Sequence, residues 1–233
     1  MKALSLIAAL VGLMVNVSVP AAHAATVTFV TPPGATTSGP VDASATFTTS
    51  ANQLSVSLSN LQPNISDVAQ ALSDLSFTFS GPAPFVLGLL SSGQEITVAG
   101  NGTFTTGSTV ETGWVLSASG STLTLDVLAA GGAGPTHLII GPPGAGNVYS
   151  NANGSIAGNG PHNPFLDQFV LFVITLTGIT FNTTITSATF SFGTTAGVNV
   201  PGVVPIPGAL PLFATGLAGL GLLGWRRKKT AAG

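Results

Sequence analysis

Cysteine is absent from the 233 residues, and charge is scarce. Without thiols there is no disulfide framework, no thiolate nucleophile and no zinc–thiolate site. Lys and Arg number five and Asp and Glu seven, together 5% of the chain, against about 25% in an ordinary soluble domain. The shortage is uneven. The basic residues are Lys2 and then Arg226, Arg227, Lys228 and Lys229, with none between. All seven acids (Asp42, Asp67, Asp74, Glu95, Glu111, Asp126 and Asp167) fall in that gap. A body without Lys or Arg cannot neutralise phosphates, which argues against nucleic acid as a partner. It also lacks a P-loop lysine and any Arg clamp for anionic substrates. With no disulfide available the fold must rest on core burial, and the body is long enough for one domain to achieve it.

What is abundant is hydroxyl and glycine: 51 Ser and Thr and 30 Gly. The polar surface is therefore made of hydroxyls and backbone. The two ends read as addresses rather than fold. Lys2 precedes an apolar stretch over residues 3–15, and Ala22-His23-Ala24 is a small-x-small cleavage site. That is the pattern of a secretory signal over residues 1–24, with a mature chain beginning at Ala25. The apolar run of about 13 residues is shorter than the roughly 20 needed to span a bilayer.

At the other end residues 208–225 are uncharged. Eighteen helical residues reach about 27 Å, close to the hydrocarbon thickness. Gly208, Leu210, Pro211 and Phe213 open this predicted transmembrane helix, and Pro211 sits where a helix tolerates it. Gly216, Gly219, Gly221 and Gly224 leave one side smooth for close packing. Trp225 is placed for the interface, and Arg226, Arg227, Lys228 and Lys229 form a stop-transfer cluster on the cytoplasmic side.

Val204-Pro205-Ile206-Pro207, the glycine-rich apolar helix and the basic cluster together resemble the PEP-CTERM sorting signal of Gram-negative bacteria. The likeness covers residues 203–231, within a sorting region of 201–233. Ile206 stands where the commonest form has Glu. The resemblance implies recognition by exosortase, a polytopic inner-membrane transpeptidase resembling cysteine proteases. It also implies transient anchoring in the inner membrane, removal of the tail near the Pro-x-Pro motif, and delivery to the cell surface or exopolysaccharide matrix. Two prolines keep the motif extended and outside the helix, within reach of a membrane-embedded enzyme. A tail retained as a permanent anchor is the other reading.

Residues 25–200 are dominated by period-two patterns. Leu54, Val56 and Leu58 alternate with Ser55, Ser57 and Ser59; Leu123, Leu125 and Val127 with Thr122, Thr124 and Asp126; Phe77 and Phe79 with Ser76, Thr78 and Ser80; Ala188, Phe190 and Phe192 with Thr189 and Ser191. Each predicts a half-buried strand with a hydroxyl-rich outer face. The run from Phe169 to Ile174 is apolar throughout and predicts a central strand covered on both sides. Ile65, Val68, Ala69 and Leu72 recur at helical spacing, and Asp67 with Gln70 reads as a capping box, so one short helix is expected near residues 66–73. Dense Gly/Pro punctuation between strands points to an all-β sandwich or jelly-roll-like single domain.

Chemistry is harder to find in this body. His137 and His162 are its histidines, and no G-x-S-x-G elbow accompanies them. Asp67 and Asp74, seven apart, are placed to share a helix face as paired carboxylates, but a cap and a solvated acid fit the spacing as well. The acids are scattered singly, with no calcium loop. Trp114 and Tyr149 are candidates for stacking on sugars, although Trp114 also follows core patterning. Asn64, Asn101, Asn153 and Asn182 head Asn-x-Ser/Thr sequons. No catalytic residue, metal or cofactor is assigned. The expectation is an exported, non-catalytic surface or matrix protein that meets exopolysaccharide; the alternative is a carbohydrate-active module, lectin-like or hydrolytic.

Overall fold

The computed structural model describes residues 24–130, 135–157 and 162–205. They form an all-β body of twelve strands: β1 Ala25–Val30, β2 Ala43–Ser50, β3 Gln53–Asn60, β4 Leu72–Phe79, β5 Phe85–Val98, β6 Phe104–Val110, β7 Val115–Ser119, β8 Thr122–Asp126, β9 Ile139–Ile140, β10 Phe165–Thr177, β11 Ile185–Phe192 and β12 Asn199–Pro201. The signal segment up to residue 23 and the tail from residue 206 lie outside the described residues.

Strand pairing follows two runs. One is β1-β2-β3-β10-β5-β6; the other is β12-β11-β4-β8-β7. Short β9 joins them, parallel to β10 at Leu166–Ile139 and opposite Leu72 of β4. Every other pairing is antiparallel. The period-two sequences explain the layers. On β3, Leu54, Val56 and Leu58 point inward and are fully buried, while the intervening serines face out. On β8 and β11, Leu123, Leu125, Phe190 and Phe192 do the same. Side chains from the two runs meet in the core, where the rings of Phe47 on β2 and Phe77 on β4 lie 4.9 Å apart. Burying one large apolar side chain is worth about 1.5–3 kcal/mol, and this core holds the body without a disulfide.

One backbone bridge links the β1 and β12 ends of the two runs. Val203, just past β12, exchanges backbone hydrogen bonds of 2.9 and 2.8 Å with Val30 of β1, and Gly202 N–H donates to Ala188 of β11. Beyond it Val204 and Pro205 are exposed. The opposite side ends in β6 and β7. Among the described residues β6 pairs only with β5, and β7 only with β8.

Two expectations are corrected in part. β10 is central, flanked by β3 and β5, but only one face of it is covered. Val170, Phe172 and Ile174 are buried, whereas Phe169 is 47% exposed and Leu171 is exposed as well. An unbroken apolar run reports hydrophobicity on both faces; it does not supply a second layer. The expected helix is a single 3-10 turn, Val68–Gln70, because Leu72 already belongs to β4. Its capping box is present: Asp67 accepts from Ala69 N–H at 2.8 Å, and Gln70 Oε1 accepts from Asp67 N–H at 3.2 Å. Gln70 does more, accepting from Ser66 N–H and donating Nε2–H to the Pro40 carbonyl at 2.7 Å. A four-residue helix, α1 Ala152–Ser155, had no signal in the sequence pattern.

Candidate functional site

Two rows of residues on the outer face of the first run carry no charge. Antiparallel register sets residues side by side across five strands. One row runs Thr28, Thr46, Ser57, Leu171 and Ser92; the next runs Thr26, Thr48, Ser55, Val173 and Leu90. The Thr28 and Thr46 hydroxyls hydrogen-bond at 2.9 Å and those of Thr26 and Thr48 at 3.3 Å, so each pair locks its rotamers across the strands. The hydroxyl half of this face, on β1, β2 and β3, borders an apolar half on β10 and β5. Phe169, Leu171, Leu87, Leu90 and Phe85 are exposed there, Phe85 by 69% and Leu90 by 71%. Register breaks between Thr175 and Leu176 of β10 skip Leu87 on β5, which leaves it outside the pairing at that bulge. Hydroxyl rows beside exposed aromatic and aliphatic groups offer hydrogen bonds and apolar contact in one surface, the two needs of a sugar ring.

Neither aromatic residue singled out from the sequence is on this face. Trp114 is 4% exposed, packs on Phe172 at 5.4 Å and donates Nε1–H to the His137 carbonyl at 3.0 Å. Tyr149 is 1% exposed, meets Phe104 edge-on and donates its hydroxyl to the Gly141 carbonyl at 2.8 Å. Burial, and then the Asp167 charge, push the Tyr149 phenol above its ordinary range. Gly102 fits against Tyr149, with φ +84° and no room for a Cβ before the Tyr149 carbonyl oxygen. Both rings present core contacts and no open face for a sugar. The exposed rings, Phe85 and Phe169, were missed because their neighbours are apolar too, and periodicity alone cannot tell which apolar residues lack cover.

The acids are placed differently from the helical pairing considered above. Asp67 caps the 3-10 turn, and Asp74 lies on β4 directly opposite Asp126 of β8. Asp126 Oδ1 accepts from Leu128 N–H at 2.6 Å. Asp74 Oδ1 is buried with no partner among the described residues. Burial first, and the Asp126 charge second, raise the Asp74 carboxyl from 3.8 to about 7. Two facing carboxylates this close can hold one proton between them. They sit on the outer face of the second run, opposite Ser191 of β11.

Both imidazoles are tied to backbone carbonyls. His137 Nδ1 lies 3.0 Å from the Thr112 carbonyl and its Nε2 3.0 Å from Glu95 Oε1. His162 Nδ1 lies 3.1 Å from the Pro135 carbonyl. Glu95 is therefore within hydrogen-bond reach of an imidazole and of no Lys or Arg, the body having neither. No three His, Asp or Glu side chains converge for a metal among the described residues. A cleft of about 430 Å³ opens between Val30, Pro32, Pro33, Pro40, Asp42 and Gln62, at the end where Val203 leaves the sheet.

Of the sorting motif, Val204 and Pro205 are described and exposed; Ile206, Pro207, the helix with Gly208, Leu210, Pro211, Phe213, Gly216, Gly219, Gly224 and Trp225, and Arg226 to Lys229 lie outside the described residues. Ala22 does too, while Ala24 is exposed at the start of the body. No helix among the described residues is long and apolar enough to cross a membrane. Among the sequons, Asn101, Asn153 and Asn182 are exposed, and Asn64 donates to Ser150 Oγ at 2.7 Å. Compared with known proteins, the chain matches no family model, no curated protein and no solved structure.

Proposed function

We propose that this chain is an exported, exosortase-sorted, non-catalytic protein of the cell surface or exopolysaccharide matrix of a Gram-negative bacterium. In this reading the body is a two-sheet sandwich of jelly-roll-like build that meets neutral polysaccharide through the outer face of β1, β2, β3, β10 and β5. The observation that carries it is that face: hydroxyl rows against the exposed Phe85, Leu90, Phe169 and Leu171, with no charge in either row. A matrix polymer of sugars offers hydroxyls to the first half and C–H faces to the second. Two further features support the sorting half of the reading. The tail resembles the PEP-CTERM signal over residues 203–231, and Val204 and Pro205 leave the body exposed, next to the Val30–Val203 bridge, where a membrane enzyme has access to them.

The test of the face is retention on a neutral β-linked glucan, with an anionic glycan as comparison. Phe169→Ser with Leu171→Ser is expected to lower retention on the neutral glucan more than fivefold while the melting temperature stays within a few degrees, since both side chains are exposed. Unchanged retention would remove the face from the account. Hydrolysis is the second reading, favoured only by the two carboxylates set opposite each other at Asp74 and Asp126, with that of Asp74 raised to about 7. Cross-strand neighbours lie about 5 Å apart, a spacing that requires Asp74 as acid and Asp126 as nucleophile, and a glycan-cleaving activity abolished by Asp74→Asn would establish it.

A further inference from the structure

We propose that Pro205 and Pro207 are strand terminators, which keep the segment after Val203 from pairing antiparallel with the edge of β1 and so leave it outside the body's sheet. The geometry stands by itself; its consequence for processing rests on the sorting reading above.

Alternation decides which way each backbone group points. In an antiparallel strand, successive residues turn their N–H and C=O to opposite neighbours. Thr31 N–H donates to Ala43 at 3.0 Å. Phe29 and Val27 therefore bond to β2 as well, opposite Ala45 and Phe47. Val30, Thr28 and Thr26 turn to the other edge. Val30 uses both of its groups on Val203, at 2.9 and 2.8 Å. That pair is an isolated bridge, and among the described residues no strand pairs with this edge at Thr28 or Thr26.

The same alternation holds for the partner. Val200 of β12 lies opposite Phe190 of β11, and Gly202 N–H donates to Ala188 at 2.8 Å. Pro201 and Val203 accordingly face away from β11, toward β1. A strand continued past Val203 in the register of the bridge would set Pro205 opposite Thr28 and Pro207 opposite Thr26. Those are the positions whose N–H must reach β1. Of residues 201, 203, 205 and 207, three are proline, and Val203 alone has an N–H to give. It is where the one bridge forms. A proline whose missing donor faces the ladder removes a bond from it. Prolines at 204 and 206 would have turned that gap away from β1.

The neighbouring residues favour the opposite outcome. Val200, Val203, Val204 and Ile206 are β-branched strand formers, and β1 carries no charge or proline to repel a neighbour. Val204 and Pro205 nonetheless leave the sheet exposed. An enzyme that takes its substrate as an extended segment competes with a ladder for the same backbone groups. A stop placed here removes that competition.

The full chain, held by its tail in membranes of a host without exosortase, is read by amide hydrogen exchange resolved to single residues. In the natural chain Thr28 N–H is expected to exchange at least about tenfold faster than Val27 and Phe29, its neighbours bonded to β2. In Pro205→Thr with Pro207→Thr it is expected to slow about tenfold, to the rate of Val30, with Val27 and Phe29 unchanged. A Thr28 amide already as slow as Val30 in the natural chain would overturn the proposal. So would one that stays fast in the double variant while Val27 and Phe29 are protected. If those two also lose protection the double variant has not folded, and Pro205→Thr alone, which restores the donor opposite Thr28, decides by the same readout. Tail trimming in cells with exosortase is followed separately. A natural chain that is never trimmed would remove the sorting reading and leave the exchange result standing.

Discussion

Asp74 and Asp126 face each other across β4 and β8, and neither has a cation to balance it in a body without Lys or Arg. Burial and this like charge hold the Asp74 carboxyl at about 7 in the fold against 3.8 ordinarily. The folded state therefore keeps a proton that the unfolded chain releases. Stability from this group is complete below about pH 4 and is lost as pH rises to about 7. Melting followed by circular dichroism from pH 4 to 8 should show the loss, and Asp74→Asn should remove that part of the slope. An unchanged slope would mean that the pair is better solvated than the structure has it. The same scale separates two kinds of aromatic. Trp114→Ala deletes a buried ring packed on Phe172 and should cost on the order of 3–5 kcal/mol in denaturant unfolding. Phe85→Ser touches an exposed ring and should cost little stability. Sequence suggested Trp114 as core but also as a sugar contact; only packing against Phe172 decides between the two.

Gln70 shows how a short element can be legible in detail while its extent is not. The Asp67–Gln70 spacing announced a capping box, and the box is there. What spacing did not reveal is that Gln70 also ties the 31–42 loop through Pro40. Gln70→Ala removes these bonds and leaves Ser66 and Asp67 N–H groups and a carbonyl without partners, at a cost of about 2–3 kcal/mol in chemical unfolding. Asp67→Ala should cost less, since it removes one acceptor. Strands with alternating residues, such as β3 and β8, were readable because period two fixes which side chains turn inward. β10 was readable as central but not as half-covered. The exposure of Phe169 depends on what lies over the sheet, and that is a property of chain topology beyond any local window.

The whole chain combines a β body, with uncharged hydroxyl rows on one sheet face, and a tail sequence with its own chemistry. The all-β class followed from composition and alternation, whereas the strand order did not, because β10 must pass between β5 and β3, the latter over a hundred residues away in the chain. The candidate face was half legible: its serines and threonines stand out in the alternation, and its exposed apolar half does not. The central claim, that the last thirty residues address this body to the cell exterior, is tested most directly by intact mass of the protein from its native host, with and without exosortase. The account predicts a product beginning at Ala25 and ending near Pro205 to Pro207 in cells with the enzyme, and a chain that keeps its tail in the inner membrane without it. A chain running from Met1 to Gly233 in the cytoplasm of both strains would contradict it.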